Sequence, residues 1–468
     1  LILSQIFETL FPFMSKKLLL SVFVLFVSAL FELKAQTNVP AIISSNQTWT
    51  AAGSPYLISQ NILIDSGVSV NILPGAVIKC TGYYRLIIDG EIEANGTKDS
   101  MVIMDNVKLD FNKHCRGYNF NTSTGSHFNY TWFKGDGQGG VNTIKLTDVS
   151  LYISNSRFTN CYYCIYAYGS SYDTSLIRVV KTRFESDNGY GSPTSASGEH
   201  LSLEMDECSV YNMCSMYVPA NFKLTRSEIN KLTCYGGIRI MNGSRFSKGK
   251  SHIACNVFKN FKSSVFETYY LDTSTTVNIL NNTFDSADVF INFYVSVSNN
   301  YKYQVIGNNF LNARLYDVKF MVSSQTAGQF ISHNMDGNYW GTTDTLLIAA
   351  GIYDFNDDIT SPYKVSFNSF LNNPTTTCVQ QYVGLQQQDA SSFVLYPNPS
   401  SGDFTVRFNE AKSRQLLVYD LQGRVMMDYQ LNDAQTIVNA QHLSAGIYMV
   451  LVRDASGNVI THSISISH

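Results

Sequence analysis

The sequence has few charged residues, few prolines and almost no long amphipathic helical pattern. Charged residues fill 15% of the 468 positions, against about 25% in a typical soluble domain, and only 10 residues are proline. A chain with so few charged helix faces excludes a helical bundle and predicts an all-β protein. The net charge of −3, from 33 basic and 36 acidic residues, excludes a general attraction to nucleic acid.

Motifs for several common chemistries are missing as well. The sequence has no phosphate-binding loop, zinc motif or serine-hydrolase turn. The glycine-rich segment 135–140 lacks the Lys-Ser/Thr pair of a phosphate loop, so we interpret it as a loop between strands.

The front of the chain has the pattern of a signal peptide. A positive stretch at 14–17 precedes an uncharged apolar run at 18–31, which is shorter than the roughly 20 residues that span a bilayer as a helix. We therefore predict a signal peptide over 14–35 that is cleaved between Ala35 and Gln36, and a mature chain without a transmembrane helix. Residues 1–13 precede a plausible initiator methionine and are predicted to be a start-site artefact.

An apolar residue that follows a polar turn recurs along the middle of the chain, mostly every 25 or 26 residues. The anchors are Val107, Phe133, Phe158, Phe184, Val210, Phe258, Phe284, Phe310 and Tyr339. Before several anchors, alternating apolar residues predict a half-buried strand, and an asparagine such as Asn282 or Asn308 predicts a left-handed turn. A purely β repeat indicates a solenoid, because one coil cannot bury its own apolar face and must stack on its neighbours.

The repeat resembles the right-handed parallel β-helix of pectin-lyase-like proteins. The resemblance covers residues 41–372, and the segments 67–79 and 86–97 look like the opening rungs of such a solenoid. Near the far end, Asp344 and residues 345–351 predict a short capping helix. A Thr- and Gln-rich linker is predicted over 373–392.

Three blocks near the C-terminus, at 396–404, 417–425 and 443–450, carry the most specific motif. Turn signals about every 8–12 residues predict a small antiparallel Ig-like β-sandwich, and on this pattern alone an ordinary Ig-like binding module fits equally well. The order and spacing of the blocks resemble the type A C-terminal sorting domain of the Bacteroidetes type IX (Por) secretion system.

This resemblance implies that residues 393–468 direct export and that the type IX machinery is a partner. The protein is then expected to be secreted or attached to the outer cell surface. The residues that match the motif are Pro397, Asn398, Pro399, Gly402, Phe404, Gly423, Gly446 and Tyr448.

Cysteines and acidic residues offer weaker signals. We interpret the nine cysteines as small buried thiols, although export permits disulfides, and Cys208 and Cys234, one coil apart, either stack or form a bridge. Cys161 and Cys164 have redox spacing without a thioredoxin-like context. The acidic cluster at 354–358 lacks the Gly and Glu positions of an EF-hand, so no cofactor or metal is expected, with calcium as the minor alternative.

A switch in charge supplies the candidate ligand site. Residues 184–222 contain six acidic and no Lys or Arg residues, whereas residues 223–262 contain nine basic residues and one glutamate. A basic patch attracts anions, which for an exported protein are uronic-acid or sulfated glycans or lipopolysaccharide. The predicted ligand-binding residues are Arg239, Arg245, Lys248 and Lys250. The alternative is a solvated face whose charges pair with the acidic coils beside it.

Two functions follow from this pattern. We favour a monomeric, non-catalytic glycan-binding or adhesive β-helix over a polysaccharide lyase or glycoside hydrolase acting on acidic polysaccharide. Arg157 and Arg183 are one coil apart, but no lyase or glycosidase signature is present, and no catalytic residue is assigned. The acidic residues considered for catalysis are Asp105, Asp110, Asp136 and Asp336.

Overall fold

The computed structural model describes most of the chain after the predicted signal peptide. The described residues are 36–135, 142–170, 174–233, 237–241, 249–269, 271, 275–295, 302–322, 331–359, 361, 363–376, 378, 393–408, 411–420, 424–454 and 459–467. The predicted segments 1–13 and 14–35, Ala35 included, lie outside them. The chain divides into two units, residues 1–380 and 381–468. No helix in the described ranges is both long and apolar enough to cross a membrane.

The first unit is a parallel β-solenoid, in which each coil contributes strands to three stacks that we call sheets 1, 2 and 3. Strands of sheet 1 are Thr37–Asn38, Tyr56–Ile58, Val77–Cys80, Val102–Asp105, Thr131–Lys134, Arg157–Thr159, Arg183–Glu185, Ser209–Met213, Glu228–Leu232 and Val257–Lys259. Strands of sheet 2 are Ile42–Ile43, Ile62–Ile64, Leu86–Ile88, Leu109–Phe111, Asn142–Thr147, Tyr163–Gly169, Ser192–Gly198, Met216–Pro219, Ile238–Met241, Ser264–Tyr269 and Ile352–Tyr353.

Two long strands, Thr283–Val295 and Asn309–Val322, pass through both stacks and join sheets 1 and 2 into one 23-stranded sheet. Sheet 3 has 11 strands. They are Gln47–Trp49, Ser69–Ile72, Glu91–Asn95, His127–Asn129, Leu151–Ser154, Ser175–Val180, Leu201–Asp206, Asn221–Thr225, Lys250–Ala254, Thr276–Leu280 and Lys302–Ile306. The predicted all-β solenoid is thus confirmed.

Short elements complete this unit. A 3-10 turn spans Ala51–Gly53, and a parallel pair is formed by Ile331–Asn334 and Tyr363–Ser366. The predicted capping helix spans Thr345–Ala350, and its first turn is capped by Asp344, whose side chain accepts a hydrogen bond from the Leu346 amide.

The repeat arises from a column of aromatic rings in sheet 1. Phe133, Phe158 and Phe184 are fully buried and stack with ring centroids 4.4 and 4.9 Å apart. Phe258, Phe284 and Phe310 continue the column with spacings of 5.1 and 5.2 Å. One residue from each coil therefore occupies an equivalent buried position, as the 26-residue spacing predicts.

Two of the predicted anchors are wrong, and one anchor is missing from the prediction. Val107 lies outside the column, since Met104 is the residue in register with Phe133. Trp340 rather than Tyr339 packs on Phe310, with centroids 4.9 Å apart. The long gap after Val210 is filled by Ile229, which is in register with both Val210 and Phe258.

A buried polar column lines the corner between sheets 3 and 1. Asn256, Asn282, Asn308 and Asn338 are at most 1% exposed, and each of the last three accepts, through Oδ1, the backbone N–H of the preceding member at 2.9 Å. Earlier coils use Ser156, Thr182 and Ser227 in the same way. The column supplies hydrogen-bond acceptors to backbone N–H groups at the corner, where these groups do not pair within the sheets.

At this corner, the residue with the left-handed backbone conformation is the one that precedes the column residue in the sequence. Asn155 and Asn281 have φ values of 48° and 55°, and Gly307 has 72°. The prediction of a left-handed turn is right for the corner, but Asn282 and Asn308 are the buried amide acceptors and not the turn residues.

The second unit contains two antiparallel sheets. The three-stranded sheet is formed by Val394–Tyr396, Asp403–Arg407 and Gln435–Asn439, and the four-stranded sheet by Arg414–Tyr419, Val425–Leu431, Gly446–Asp454 and Val459–Ile466. Phe404, Val406 and Val438 from the first sheet share one core with Val418 and Val450 from the second.

The cysteines differ in part from the prediction. Cys255 and Cys378 form a disulfide with Cα atoms 5.1 Å apart, and Cys214 is also disulfide-bonded. The free thiols among the described residues are Cys80, Cys115, Cys161, Cys164 and Cys208. Cys208 is buried, and its suggested partner Cys234 lies outside the described residues.

Candidate functional site

The two predicted basic residues that the structure describes lie on different sheets. Arg239 lies on sheet 2, whereas Lys250 is an exposed residue at the start of a sheet 3 strand. Arg245 and Lys248 lie outside the described residues. Arg239 is also engaged, because its Nε donates to Glu267 at 3.1 Å.

Other members of the basic block contact acidic residues of a neighbouring coil. Arg226 pairs with both Asp206 and Glu207, and Lys259 lies 3.8 Å from Glu228. Burial alone raises the pKa of Asp206, but the hydrogen bonds of Arg226 and Thr225 outweigh it and lower that pKa overall. These contacts fit the alternative of a charge-paired solvated face.

A different surface emerges from the strand register of sheet 2. Tyr166, Ser195, Tyr217, Arg239 and Glu267 occupy successive coils at directly paired positions. The residues beside them, such as Ala167, Ala196 and Val218, are buried. Because side chains alternate across a strand, these five residues form a row on the outer side of the sheet, which we call the sheet 2 row.

Tyr166 and Tyr217 flank a small side chain within this row. Coils lie about 4.8 Å apart, so the two tyrosines, two coils apart, are separated by about 10 Å along the sheet. Ser195 lies between them and fills little of that space. We call the position over Ser195, with a tyrosine on the coil to either side, the tyrosine slot.

Further tyrosines enlarge this aromatic surface. Tyr162 and Tyr163 have ring centroids 4.6 Å apart, and Tyr163 is 6.1 Å from Tyr166. Tyr168 and Tyr190 are 49% and 69% exposed. Burial, followed by neighbouring Tyr162, raises the pKa of Tyr163, so its hydroxyl stays a hydrogen-bond donor at neutral pH.

Charged groups fix one end of the slot. The Arg239 guanidinium lies 5.6 Å from the Tyr217 ring centroid, and its Nη1 donates to the Tyr217 hydroxyl at 3.4 Å. The Glu267 side chain, only 6% exposed, holds the same guanidinium. The tyrosine is thus positioned by an ion pair on the next two coils, which favours a preformed site.

The residues considered for catalysis are engaged in structural contacts. Arg157 and Arg183 are in register, as predicted, and both pair with Glu185. Asp105 contacts Lys79 at 3.8 Å, Asp110 contacts Lys145 at 3.3 Å, and Asp336 accepts a hydrogen bond from the Ser369 amide. Asp136 lies outside the described residues.

The acidic residues near the capping helix accept hydrogen bonds from backbone amides of the surrounding turns. Asp354 is buried and accepts hydrogen bonds from the Asn356 and Val365 amides, while Asp357 accepts one from the Asp354 amide. In the part of the chain that the structure describes, no three His, Cys, Asp or Glu side chains are grouped as a metal site requires.

The sorting motif residues build the second unit. Asn398 accepts a hydrogen bond from the Ser465 amide at 3.0 Å, and Phe404 is 1% exposed. Gly402 has φ of 142°, and a Cβ there would lie 2.8 Å from Gln441. Gly446 starts a strand, and the Tyr448 hydroxyl donates to the Ser444 carbonyl at 2.9 Å.

Pro397 and Pro399 enclose Asn398 in the segment between the first two strands of the unit. Gly423 lies outside the described residues. The motif thus marks turns and core positions that the antiparallel sheets require.

The sheet 2 row was missed at the level of sequence. The signal that would have found it is the spacing of Tyr166 and Tyr217, each flanked by buried residues in a period-two pattern.

Comparison with known proteins identifies the second unit. Residues 394–467 match the secretion system C-terminal sorting domain. The chain therefore carries a sorting domain that contacts the type IX secretion machinery and directs the protein to secretion, with attachment to the cell surface or release outside the cell.

The remaining comparisons add little. A search of curated proteins gives no match to this chain. Among solved structures, the chain is similar to the Siphovirus 9NA tailspike receptor binding domain with 12% identity, over 92% of this chain and 99% of that chain, at a TM-score of 0.29.

Proposed function

We propose that this exported β-solenoid protein is a non-catalytic carbohydrate-binding protein that acts outside the cell. The sorting domain supplies the address, and the sheet 2 row supplies the binding surface. The ligand is a glycan that lies along the outer side of sheet 2, with a sugar ring between Tyr166 and Tyr217.

The tyrosine slot is the observation that carries this proposal. Tyrosine presents an apolar ring face and a hydroxyl that forms hydrogen bonds, a combination that suits a sugar with one apolar face and a rim of hydroxyls. Ser195 leaves room for the ring, and Arg239 and Glu267 supply polar groups at one end. A surface of this kind binds by stacking and hydrogen bonding and needs no metal.

A glycan array with the secreted protein tests the proposal. We expect Tyr166→Ala and Tyr217→Ala each to weaken binding to the preferred glycan about tenfold, since each removes one stacking surface. Tyr84→Ala is the matched control, because Tyr84 is 38% exposed but lies away from the sheet 2 row.

Two outcomes would contradict the proposal. One is that the tyrosine variants bind the glycan as tightly as the wild type. The other is that the bound polysaccharide gains new reducing ends or unsaturated ends during incubation, which would make the protein an enzyme.

A further inference from the structure

A second surface lies at the corner where strands of sheet 1 lead into sheet 2. It is an open cavity of about 460 Å³. Its lining residues are Lys231, Leu232, Thr233, Asn260, Phe261, Lys262 and Arg314. They come from three of four neighbouring coils, so only the stacking of the solenoid brings them together.

The charge of this corner cavity is positive. Three of the seven lining residues are cationic, and none is acidic. Asp288 pairs with one of these cations, because its Oδ1 accepts a hydrogen bond from Arg314 Nε at 2.7 Å. The lining itself carries three positive side chains and no negative one, and an open cavity of one sign concentrates ions of the other.

Two hydrogen-bond partners fix the Arg314 side chain. Besides the bond to Asp288, its Nη2 donates to the Phe261 carbonyl at 2.6 Å. Its Nη1 makes no hydrogen bond within the described residues. A guanidinium fixed through two of its nitrogens presents the third without further loss of side-chain entropy.

Lys231 lines the same cavity, and no carboxylate of the described residues pairs with its ammonium group. Its Nζ lies 5.8 Å from the Tyr211 ring centroid, and it forms no ion pair with the described residues. Thr233, which also lines the cavity, is fixed by its hydroxyl, which donates to the Gly189 carbonyl at 2.6 Å. The cavity therefore combines a fixed hydroxyl and a fixed guanidinium with a lysine that has no ion pair within the described residues.

We infer that the corner cavity binds the carboxylate or sulfate group of an acidic glycan, chiefly through Lys231 and Arg314. This inference rests on the proposed function and narrows its ligand to a glycan with an acidic substituent. The volume of about 460 Å³ falls in the range of small-molecule sites and suits one or two sugar units. The cavity borders sheet 2 at the coils of Arg239 and Glu267, so one chain that follows sheet 2 has a path to it.

The test compares two oligosaccharides of the same backbone, one neutral and one carrying uronate or sulfate, with the secreted protein. We expect the wild type to prefer the acidic ligand, and the preference to fall about tenfold in Lys231→Gln and again in Lys231→Gln/Arg314→Gln. Lys302→Gln is the control, because Lys302 is an exposed lysine on sheet 3. Added salt should reduce the preference of the wild type.

The outcomes separate this inference from the proposed function. If Lys231→Gln keeps the full acidic preference, the inference is wrong, while binding of the neutral ligand still supports the proposed function. If neither oligosaccharide binds, titration with inorganic phosphate decides the cavity alone: binding that needs Lys231 supports an oxyanion site, and no such binding overturns it. The Lys231 side chain makes no hydrogen bond or ion pair within the described residues, so its replacement is not expected to disturb folding.

Discussion

Replacement of Asn282 by alanine tests the physical basis of the solenoid. Asn282 is 0% exposed, and its Oδ1 accepts from the Asn256 backbone N–H at 2.9 Å and from Asn256 Nδ2 at 3.0 Å. Its Nδ2 donates to the Ile253 carbonyl and to Asn308 Oδ1, at 2.9 and 3.0 Å. Alanine removes all four contacts.

The expected cost follows from the groups that lose their partners. The Asn256 backbone N–H has no other hydrogen bond within the described residues, and a buried donor without a partner costs about 1–3 kcal/mol. The side-chain contacts to Asn256, Ile253 and Asn308 are lost in addition. We therefore expect Asn282→Ala to lower the free energy of unfolding by about 3 kcal/mol.

Denaturant unfolding followed by circular dichroism measures this change. Asn278→Ala is the control, since Asn278 lies on the outer side of the same sheet 3 strand and should cost less than about 0.5 kcal/mol. Equal unfolding midpoints for the two variants would show that the buried amide column does not stabilise the corner, and the reasoning would be refuted.

Three further predictions concern stability and export. Burial raises the pKa of Asp317 from its ordinary 3.8 to about 7. The free energy of unfolding should therefore be highest below about pH 4 and fall by about 4 kcal/mol as the pH rises to about 7. Asp317→Asn should remove this pH dependence from the unfolding curves, and an unchanged pH profile in that variant would contradict the prediction. The Cys255–Cys378 disulfide closes a loop of 123 residues, so Cys255→Ser/Cys378→Ser should lower the free energy of unfolding by up to about 5 kcal/mol by denaturant titration, and an unchanged midpoint would contradict this. Deletion of residues 393–468 should leave the solenoid unit inside the cell envelope on immunoblots of cell fractions, whereas secretion at the wild-type level would oppose the role of the sorting domain.

The sequence predicts the solenoid because each coil buries an apolar residue at the same position. Phe133, Phe158 and Phe184 are spaced by the length of one coil, so the spacing of apolar residues in the sequence indicates the stacking of coils. The prediction does not name Ile229, because the coil before it has only 19 residues and the next has 29. A pattern search that assumes equal coils passes over such a position.

The candidate site is harder to predict because it depends on register between coils. Tyr166 and Tyr217 are 51 residues apart and become neighbours across Ser195 only when three strands pair in register. Lys231 and Arg314 likewise belong to different coils. The basic block in the sequence suggested one patch, but alternation along strands and turns at corners distributes Arg239 and Lys250 to different sheets.

The sorting domain is easier to predict from the sequence, for the opposite reason. Its motif residues are close in sequence and serve local geometry, such as the positive φ of Gly402 and the turn around Asn398. Local requirements of this kind leave a direct trace in the sequence, whereas a surface assembled from stacked coils does not.

A bulky side chain at position 195 tests directly whether a glycan binds between Tyr166 and Tyr217, because it blocks the slot while every tyrosine stays in place. The measurement is calorimetric titration of the preferred glycan into the secreted Ser195→Tyr variant, with Ser202→Tyr on the outer side of sheet 3 as the control. We predict a loss of affinity of about 100-fold or more for Ser195→Tyr, roughly 2.7 kcal/mol, and none for Ser202→Tyr. Wild-type affinity in Ser195→Tyr would contradict it.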